Sequence, residues 1–256
     1  MWRRQLDGVQ KPWLCWNVDH DWCLVQQKLV RAAGWTPVVG FDPRVGQPPL
    51  LKDSVLIDFN ASFNFEVMYP HFVIEFSFLF SKKLAFWHSD LLLSIADMRK
   101  FAQNFEELED GSMAAVIQNV GMAHYIRPKE LRYWELLGCM TAGASESNFE
   151  TGCGWWLAFY LHPMCPGHDE RLKRLKYHWE CGVGIRYWKN KYSKNVLEIP
   201  ENLISRGHFT RINNPSYKVI SNNDWRRNLS QDLRGNFTLE DCCKKMQIDE
   251  ILRESA

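Results

Sequence analysis

Residues 83–108 have the sequence KLAFWHSDLLLSIADMRKFAQNFEEL. The first part, Lys83–Leu93, is an apolar run that is typical of a buried strand. In the second part, Ser94 is placed to cap a helix over Ser94–Leu108, and Asp97 follows it at the spacing of a capping box. One face of this helix would be apolar, so the stretch predicts a strand followed by an amphipathic helix. The apolar positions are Ile95, Met98, Phe101, Ala102 and Phe105.

Outside this stretch, strand-like and helix-like segments continue to alternate. Short apolar or β-branched runs predict strands at Thr36–Phe41, Ser54–Phe59, Met113–Gln118 and Val196–Ile199. Helices are predicted at residues 24–33, ending at Gly34, at Glu66–Phe80 with an interruption near Pro70, at Lys129–Leu137 and at Leu239–Arg253. Alternation of this kind favours an α/β fold with a mostly parallel sheet.

The composition is typical of a globular protein and not of a disordered chain. Of the 256 residues, 46% are hydrophobic and 24% are charged, and 31 Lys and Arg against 30 Asp and Glu give a net charge of +1. A charge so close to zero gives no overall electrostatic reason to bind nucleic acid or an anionic membrane. The length predicts a single domain over residues 1–256, with a helical tail at 221–256.

The sequence also predicts a cytoplasmic protein without a transmembrane segment. The most apolar stretch, Phe72–Phe80, is too short to cross a bilayer and contains Glu75. Basic residues near the N-terminus are not followed by the apolar region of a secretory signal. The eight cysteines form no Cys-x-x-Cys pair, so we expect buried free thiols rather than a zinc ribbon or a redox centre.

Polar residues directly follow the apolar run Leu84–Trp87, in the order His88-Ser89-Asp90. In an open α/β sheet, ligands bind at the carboxyl ends of strands, so this is a candidate site. Asp90 is a candidate metal ligand, and a second ligand two positions before it would let both approach one cation that bridges a diphosphate. The structural alternative is that Asp90 caps the next turn and that His88 makes a hydrogen bond in the core.

This order of segments resembles the GT-A class of nucleotide-sugar glycosyltransferases, particularly the small enzymes of bacteria and large viruses. That family places an Asp-x-Asp motif after a buried helix and a short apolar strand. Here Phe72–Phe80 and Leu84–Trp87 precede the motif, His88 stands at its first acidic position, and Asp90 matches the second. The resemblance covers about residues 36–212 and implies a GT-A-like mixed, mostly parallel sheet flanked by helices.

The resemblance implies a metal-dependent hexosyl- or pentosyltransferase. Its donor would be a nucleotide-diphosphate sugar, with a UDP-sugar as the first expectation, and its acceptor would be a hydroxyl group of a glycan, with no nucleic-acid partner. The cofactor would be Mn²⁺ or Mg²⁺, bound by Asp90 with His88 and by His208, which ends the segment Ile204–His208. The residues that would contact the donor or its sugar are His88, Ser89, Asp90, Glu146, Trp155 and Trp156.

The resemblance also implies a catalytic base. Inverting members carry an acidic residue at the start of a helix, a few dozen residues before that histidine. Glu180, within Trp179–Ile185, fits this description, and Glu150 is the second choice. A carboxylate at a helix N-terminus is stabilised as an anion and can accept the proton of an attacking hydroxyl group. The alternative is that Glu180 is only an acidic residue at a helix N-terminus.

The two adjacent tryptophans lie in the apolar segment Thr151–Leu161, shortly after the acidic residue Glu146. Flat aromatic rings with polar edges suit the faces of a pyranose, and the resemblance implies that this segment faces the sugar. Consecutive residues of a strand point to opposite sides, so we expect at least one of Trp155 and Trp156 to be structural.

Residues 171–194 interleave basic and aromatic side chains. The same pattern occurs where proteins bind single-stranded nucleic acid, so a non-catalytic nucleic-acid or glycan-binding module is an alternative function. A solvated helix face would produce this pattern too. A third possibility is a nucleotide-sugar hydrolase that uses the same Asp90 and His208.

Overall fold

The computed structural model describes residues 4–41, 45–58, 70–117, 132–175, 181–209 and 238–253. Among these residues the fold is α/β, with seven strands in a mixed, mostly parallel sheet flanked by helices, as the sequence predicts. In chain order the strands are β1 (Pro12–Trp16), β2 (Thr36–Gly40), β3 (Val55–Ile57), β4 (Lys83–Trp87), β5 (Met113–Ile117), β6 (Tyr133–Thr141) and β7 (Val196–Pro200).

The helices of the described residues are short to medium in length. They are α1 (His20–Ala32), α2 (Pro70–Glu75), α3 (Ile95–Glu106), α4 (Ala142–Thr151), α5 (His168–Leu175), α6 (Val183–Lys191), α7 (Leu239–Met246) and α8 (Asp249–Arg253). Within the described ranges, no helix has the length and apolar character needed to cross a membrane.

The chain divides into two compact units. The first unit comprises Met1–Pro12, Tyr69–Trp87 and Asn104–Leu203. The second unit comprises Trp13–Met68, His88–Gln103 and Ile204–Ala256.

In the first unit, four strands lie side by side in the order β4, β6, β5, β7. Strand β6 is antiparallel to both β4 and β5, and β5 is parallel to β7. Gly138 lies within β6, where an added Cβ atom would come 2.5 Å from the carbonyl oxygen of Ala114 and 2.6 Å from the ring of Phe86. The absence of a side chain at Gly138 therefore allows the core to close around β6.

In the second unit, β2 lies between β3 and β1 and is parallel to β3. Helix α1 begins after Asp19, whose carboxylate accepts a hydrogen bond from the backbone N–H of Trp22 at 3.1 Å. The buried ammonium of Lys28 on α1 donates to the carbonyl oxygen of Ile251 in α8 at 3.0 Å. This bond fixes the C-terminal helix against α1.

Several predicted elements are confirmed. The predicted strands coincide with β2, β3, β5 and β7, and α1 contains the helix predicted at residues 24–33. Helix α3 follows Ser94, whose hydroxyl accepts from the N–H of Asp97 at 3.1 Å and donates to its carboxylate at 2.7 Å. The capping function predicted for Ser94 is therefore confirmed.

The helix predicted at Lys129–Leu137 is wrong for its described residues, because residues 133–137 are the first part of β6. Strand β6 pairs with β4 on one edge and with β5 on the other, and most of its residues are buried. Because side chains of both faces are buried, the strand lacks the clean alternation that marks a strand with one exposed face. Mixed apolar and charged residues at its start were compatible with helical spacing. Pairing with β4 and β5, which is not local information, determines the strand.

Three boundaries also differ from the predictions. The strand-like run Lys83–Leu93 forms a strand only as far as Trp87, and the next residues turn. The predicted C-terminal helix is two helices, because Gln247 adopts a left-handed conformation with φ of 59°. Of the helix predicted at Glu66–Phe80, residues 70–75 are α-helical and 77–79 form a 3₁₀ turn, while 66–69 lie outside the described residues. Of the helical tail predicted at 221–256, only 238–253 are described.

All eight cysteines lie outside disulfide bonds, as predicted. Six are buried, and Cys165 and Cys181 are half-buried. Burial raises the pKa of the Cys139 and Cys181 thiols, so both stay protonated near neutral pH. These thiols are therefore poor candidates for nucleophiles or metal ligands.

Candidate metal centre

Three side chains that can bind a metal ion converge in the second unit: His88, Asp90 and His208. The Asp90 Oδ1 atom lies 3.8 Å from His88 Nδ1 and 3.4 Å from His208 Nε2. The two imidazole rings meet edge to face, with their centroids 5.8 Å apart. The sequence analysis predicted these three residues as metal ligands. Among the described residues, they form a cluster of potential metal ligands.

A tight turn directly after β4 presents the first two side chains. The N–H of Leu91 donates to the carbonyl oxygen of His88 at 3.1 Å, which closes the turn over Ser89 and Asp90. The side chains of His88 and Asp90, two positions apart, emerge from this turn on the same side. Ser89 lies between them and is half-buried.

A second segment brings His208 to the turn by backbone pairing. Leu91 and His208 form an antiparallel bridge, flanked by hydrogen bonds from Leu92 N–H to the Gly207 carbonyl at 3.0 Å and from Phe209 N–H to the Asp90 carbonyl at 2.8 Å. An added Cβ atom on Gly207 would overlap the carbonyl oxygen of Leu92. A glycine at this position therefore allows the two backbone segments to approach closely enough to place His208 beside the turn.

The surroundings of the three side chains allow access from solvent. The side chains of His88, Asp90 and His208 are 31%, 21% and 27% exposed. A half-buried carboxylate facing two imidazoles is an arrangement that can hold a cation without the full desolvation cost of a buried charge. A ligand in solution can therefore reach the three side chains.

The donor set and spacing fit a divalent cation. A cation held at about 2.1 Å by each ligand places neighbouring ligand atoms about 3 to 3.5 Å apart. The three ligand atoms lie within 4.8 Å of one another, so small side-chain rotations would bring them into range. Two imidazole nitrogens and one carboxylate oxygen suit Mn²⁺ or Zn²⁺ better than Mg²⁺ or Ca²⁺, which prefer oxygen ligands.

Helix α1 supports both ligand-bearing segments. The Gln26 side chain is fully buried, and its Nε2 donates to the carbonyl oxygens of His88 at 2.8 Å and of Leu91 at 2.9 Å. One turn earlier on α1, Trp22 packs edge to face against Phe209, with 6.1 Å between the ring centroids. The sequence analysis did not find Gln26, because its partners are backbone atoms far away in the chain.

Of the residues expected to contact the donor or its sugar, Glu146, Trp155 and Trp156 lie in the first unit. Glu146 and Glu150 are exposed on α4, and Glu150 is near the end of that helix. Trp155 is fully buried, packs edge to face against Phe86 and donates its indole N–H to the sulfur of Met140. Trp156 is half-buried, so of this pair it is the residue that is partly accessible to solvent.

The expected base, Glu180, lies outside the described residues. The residues just after it are described: the N–H of Gly182 donates to the carbonyl oxygen of Trp155 at 2.9 Å. An added Cβ atom on Gly184 would overlap the carbonyl oxygen of Gly154. The start of α6 therefore packs directly against the Gly-Trp-Trp segment.

Sequence reasoning missed one unusual acid in the first unit. Glu75 is 0% exposed, accepts a hydrogen bond from the N–H of Trp156 at 2.8 Å and another from the hydroxyl of Tyr160. Burial raises the pKa of Glu75 to about 7, although these hydrogen bonds act in the opposite direction. A Glu inside the apolar run Phe72–Phe80 is the sequence signal that could have found it.

Much of the basic charge in residues 171–194 is engaged within the first unit. Arg171 is fully buried and donates to a backbone carbonyl oxygen. Hydrogen bonds from Tyr187, Lys191 and Lys173 lower the pKa of Glu170 to about 2. These described cations would have to give up their present partners before they could bind phosphates.

No protein-family model matches the chain, and no curated protein matches it either. The function is therefore inferred from the residues and their geometry.

Proposed function

We propose that this protein is a metal-dependent glycosyltransferase. It would transfer a sugar from a nucleotide-diphosphate sugar, in the first instance a UDP-sugar, to a hydroxyl group of a glycan. The observation that carries the proposal is the convergence of His88, Asp90 and His208, from two segments distant in the chain, directly after a strand of an α/β sheet. The resemblance to GT-A enzymes implies this set of ligands from the sequence.

The metal ion would be held by Asp90 Oδ1, His208 Nε2 and His88 Nδ1, and it would neutralise the charge of the diphosphate leaving group. Ser89 is half-buried and lies between two of these ligands in the chain, and its hydroxyl would contact the donor. Each imidazole would bind the metal through the lone pair of a neutral ring nitrogen.

Transfer itself requires a base, and the proposal assigns this role to Glu180, with Glu150 as the second choice. The carboxylate would take the proton of the acceptor hydroxyl while the oxygen of that hydroxyl forms a bond to the anomeric carbon. The bond from that carbon to the diphosphate oxygen breaks, and the nucleoside diphosphate leaves with the electron pair. A single displacement of this kind inverts the configuration of the sugar.

The alternative of a nucleic-acid-binding module is less well supported. Lys189 and Lys191 both lie within salt-bridge distance of carboxylates, at 2.5 Å from Glu198 and 3.2 Å from Glu170. Binding to single strands would require these cations to exchange their carboxylate partners for phosphates. A nucleotide-sugar hydrolase would share the metal centre. It would differ from a transferase because it would transfer the sugar to water even when acceptor is in excess.

The first test is a thermal-shift screen of UDP, GDP, CMP and their sugars, each with and without Mn²⁺. A ligand that binds the native state raises the melting temperature, so we expect a shift with one nucleotide that depends on the metal. The variants Asp90→Ala and His208→Ala should remove this shift. His20→Ala and Glu250→Gln are matched controls, because both residues are exposed in the second unit and lie outside the centre.

Two results would overturn the proposal. One is metal-dependent donor cleavage that survives in both Asp90→Ala and His208→Ala. The other is the absence of any nucleotide-dependent shift together with salt-sensitive binding of single-stranded oligonucleotides, which would favour the binding-module alternative.

A further inference from the structure

We infer that Gln26 is a positioning residue for the metal centre and that α1 acts as the template that aligns its two ligand-bearing segments. This inference rests on the metal centre of the proposed function. The hydrogen bonds of Gln26 do not go to the side chains of the three proposed ligands. They go to the backbone of the turn that carries two of these ligands, His88 and Asp90.

The hydrogen bonds of Gln26 fix the turn at both of its ends. A single amide nitrogen has two N–H groups, and here they are directed to the carbonyl oxygens of His88 and Leu91, at 2.8 Å and 2.9 Å. Those two residues flank Ser89 and Asp90. Because the Gln26 side chain is fully buried, its amide is held in place, and its two hydrogen bonds limit the freedom of the turn to change the direction of its side chains.

The same face of α1 also contacts the other segment. Residues four apart in a helix lie on one face, so Trp22 and Gln26 point in the same direction. Trp22 packs against Phe209, the residue after the third ligand, His208. One helix thus contacts the turn that carries His88 and Asp90 and the segment that carries His208.

Gln27, the next residue on α1, provides a matched control. It is also fully buried, and its side chain makes comparable hydrogen bonds: Nε2 donates to the Pro49 carbonyl at 2.9 Å, and Oε1 accepts from Leu51 N–H at 3.1 Å and from the Ser54 hydroxyl at 2.7 Å. These partners belong to the loop before β3 and not to the metal centre. Loss of either glutamine removes hydrogen bonds of a buried amide to backbone groups of the same unit.

The experiment compares Gln26→Met with Gln27→Met in the whole 256-residue chain, using Mn²⁺ alone as the probe. Free Mn²⁺ is measured by electron paramagnetic resonance during titration, and the melting temperature is measured without metal. Replacing a residue that orients metal ligands typically weakens metal binding about 10- to 100-fold. We expect a Kd for Mn²⁺ increased by that factor in Gln26→Met and an unchanged Kd in Gln27→Met, with similar losses of melting temperature.

The possible results separate this inference from the proposed function. If the wild-type chain binds Mn²⁺ and both variants bind it equally well, the positioning role is refuted while the metal centre stands. If the wild-type chain does not bind Mn²⁺, both the centre and the role of Gln26 are refuted. Should Gln26→Met fail to fold, Gln26→Asn keeps a polar amide that is too short to reach both carbonyls, and the same increase in Kd is expected.

Discussion

The buried carboxyl group of Glu75 predicts an unusual dependence of stability on pH. The group is fully buried, and burial raises its pKa from the usual value of 4.5 to about 7. In the unfolded chain the same carboxyl group is in water and ionises near its usual pKa. At about pH 6 the folded chain therefore holds a proton on Glu75 that the unfolded chain has released.

The sign of the effect follows from proton counting. Between about pH 4.5 and pH 7 the folded state binds one more proton than the unfolded state, so the free energy of unfolding falls as the pH rises. The slope is about 1.4 kcal/mol for each pH unit, so over this interval the total is about 3 kcal/mol. Above about pH 7 both states are ionised, and no further loss from this group is expected.

Glu75→Gln removes the titration while keeping the size of the side chain. The amide introduced by this substitution cannot ionise, so the variant should gain stability relative to the wild-type chain as the pH rises from about 5 to about 8. We expect the difference in unfolding free energy to change by about 2 to 3 kcal/mol in favour of the variant. This change is independent of any constant cost from altered hydrogen bonds to Tyr160 and Trp156.

The assay is urea unfolding of both proteins at intervals between about pH 5 and about pH 8, followed by tryptophan fluorescence. Glu109→Gln is the control, because Glu109 is an exposed acid of the same unit. The control should follow the wild-type pH profile. The reasoning would be refuted if the difference between Glu75→Gln and wild type stayed constant over this pH range, or if the variant lost stability as the pH rose.

Three further predictions concern the centre, a helix cap and the alternative function. Gly207→Ala should weaken Mn²⁺ binding in the titration, because its Cβ atom would overlap the Leu92 carbonyl; unchanged affinity would contradict the role of this close approach. Ser94→Ala should lower the free energy of unfolding by about 1 kcal/mol through loss of a helix cap, as measured by urea unfolding, and no change would contradict the capping assignment. The wild-type chain should show no salt-sensitive retention of a single-stranded oligonucleotide in filter binding, and Lys189→Gln should not alter this result; strong retention lost in the variant would support the alternative function.

The elements that were predictable from the sequence are those with a strong local signal. The capping pair Ser94 and Asp97 lies within one helical turn, and its hydrogen bonds depend on local geometry alone. Short β-branched runs such as Val38-Val39 in β2 also favour strands wherever they lie. In these cases the tertiary structure agrees with the local preference of the chain.

Strand β6 was not predictable in this way. Its residues have no clean alternation, and its conformation depends on pairing with β4 on one side and β5 on the other. The glycine in its centre, Gly138, weakens any local preference for a strand, and it is suitable only because Ala114 and Phe86 approach so closely. This information exists only after the chain has folded.

The candidate site shows the same division. Asp90 and His88 were found because they directly follow an apolar run, and His208 was found through the resemblance. Gln26 and Glu75 were not found, because each acts through atoms that lie far away in the chain, such as the His88 carbonyl for Gln26 and the Trp156 N–H for Glu75. Burial of a polar residue implies that it has a partner, but the sequence does not identify the partner.

The histidine at the first position of the motif changes the charge of the proposed centre. With Asp90 as the one anionic ligand and His88 and His208 neutral, a bound divalent cation would leave a net charge of about +1 at the centre. An acid at position 88 would reduce this charge to zero. Under the proposed function, the departure from the family motif therefore strengthens the attraction for a diphosphate and favours metals that accept nitrogen ligands, Mn²⁺ over Mg²⁺. The substitution is thus compatible with nucleotide-sugar chemistry, because the metal ion then contributes a larger share of the charge that stabilises the leaving group.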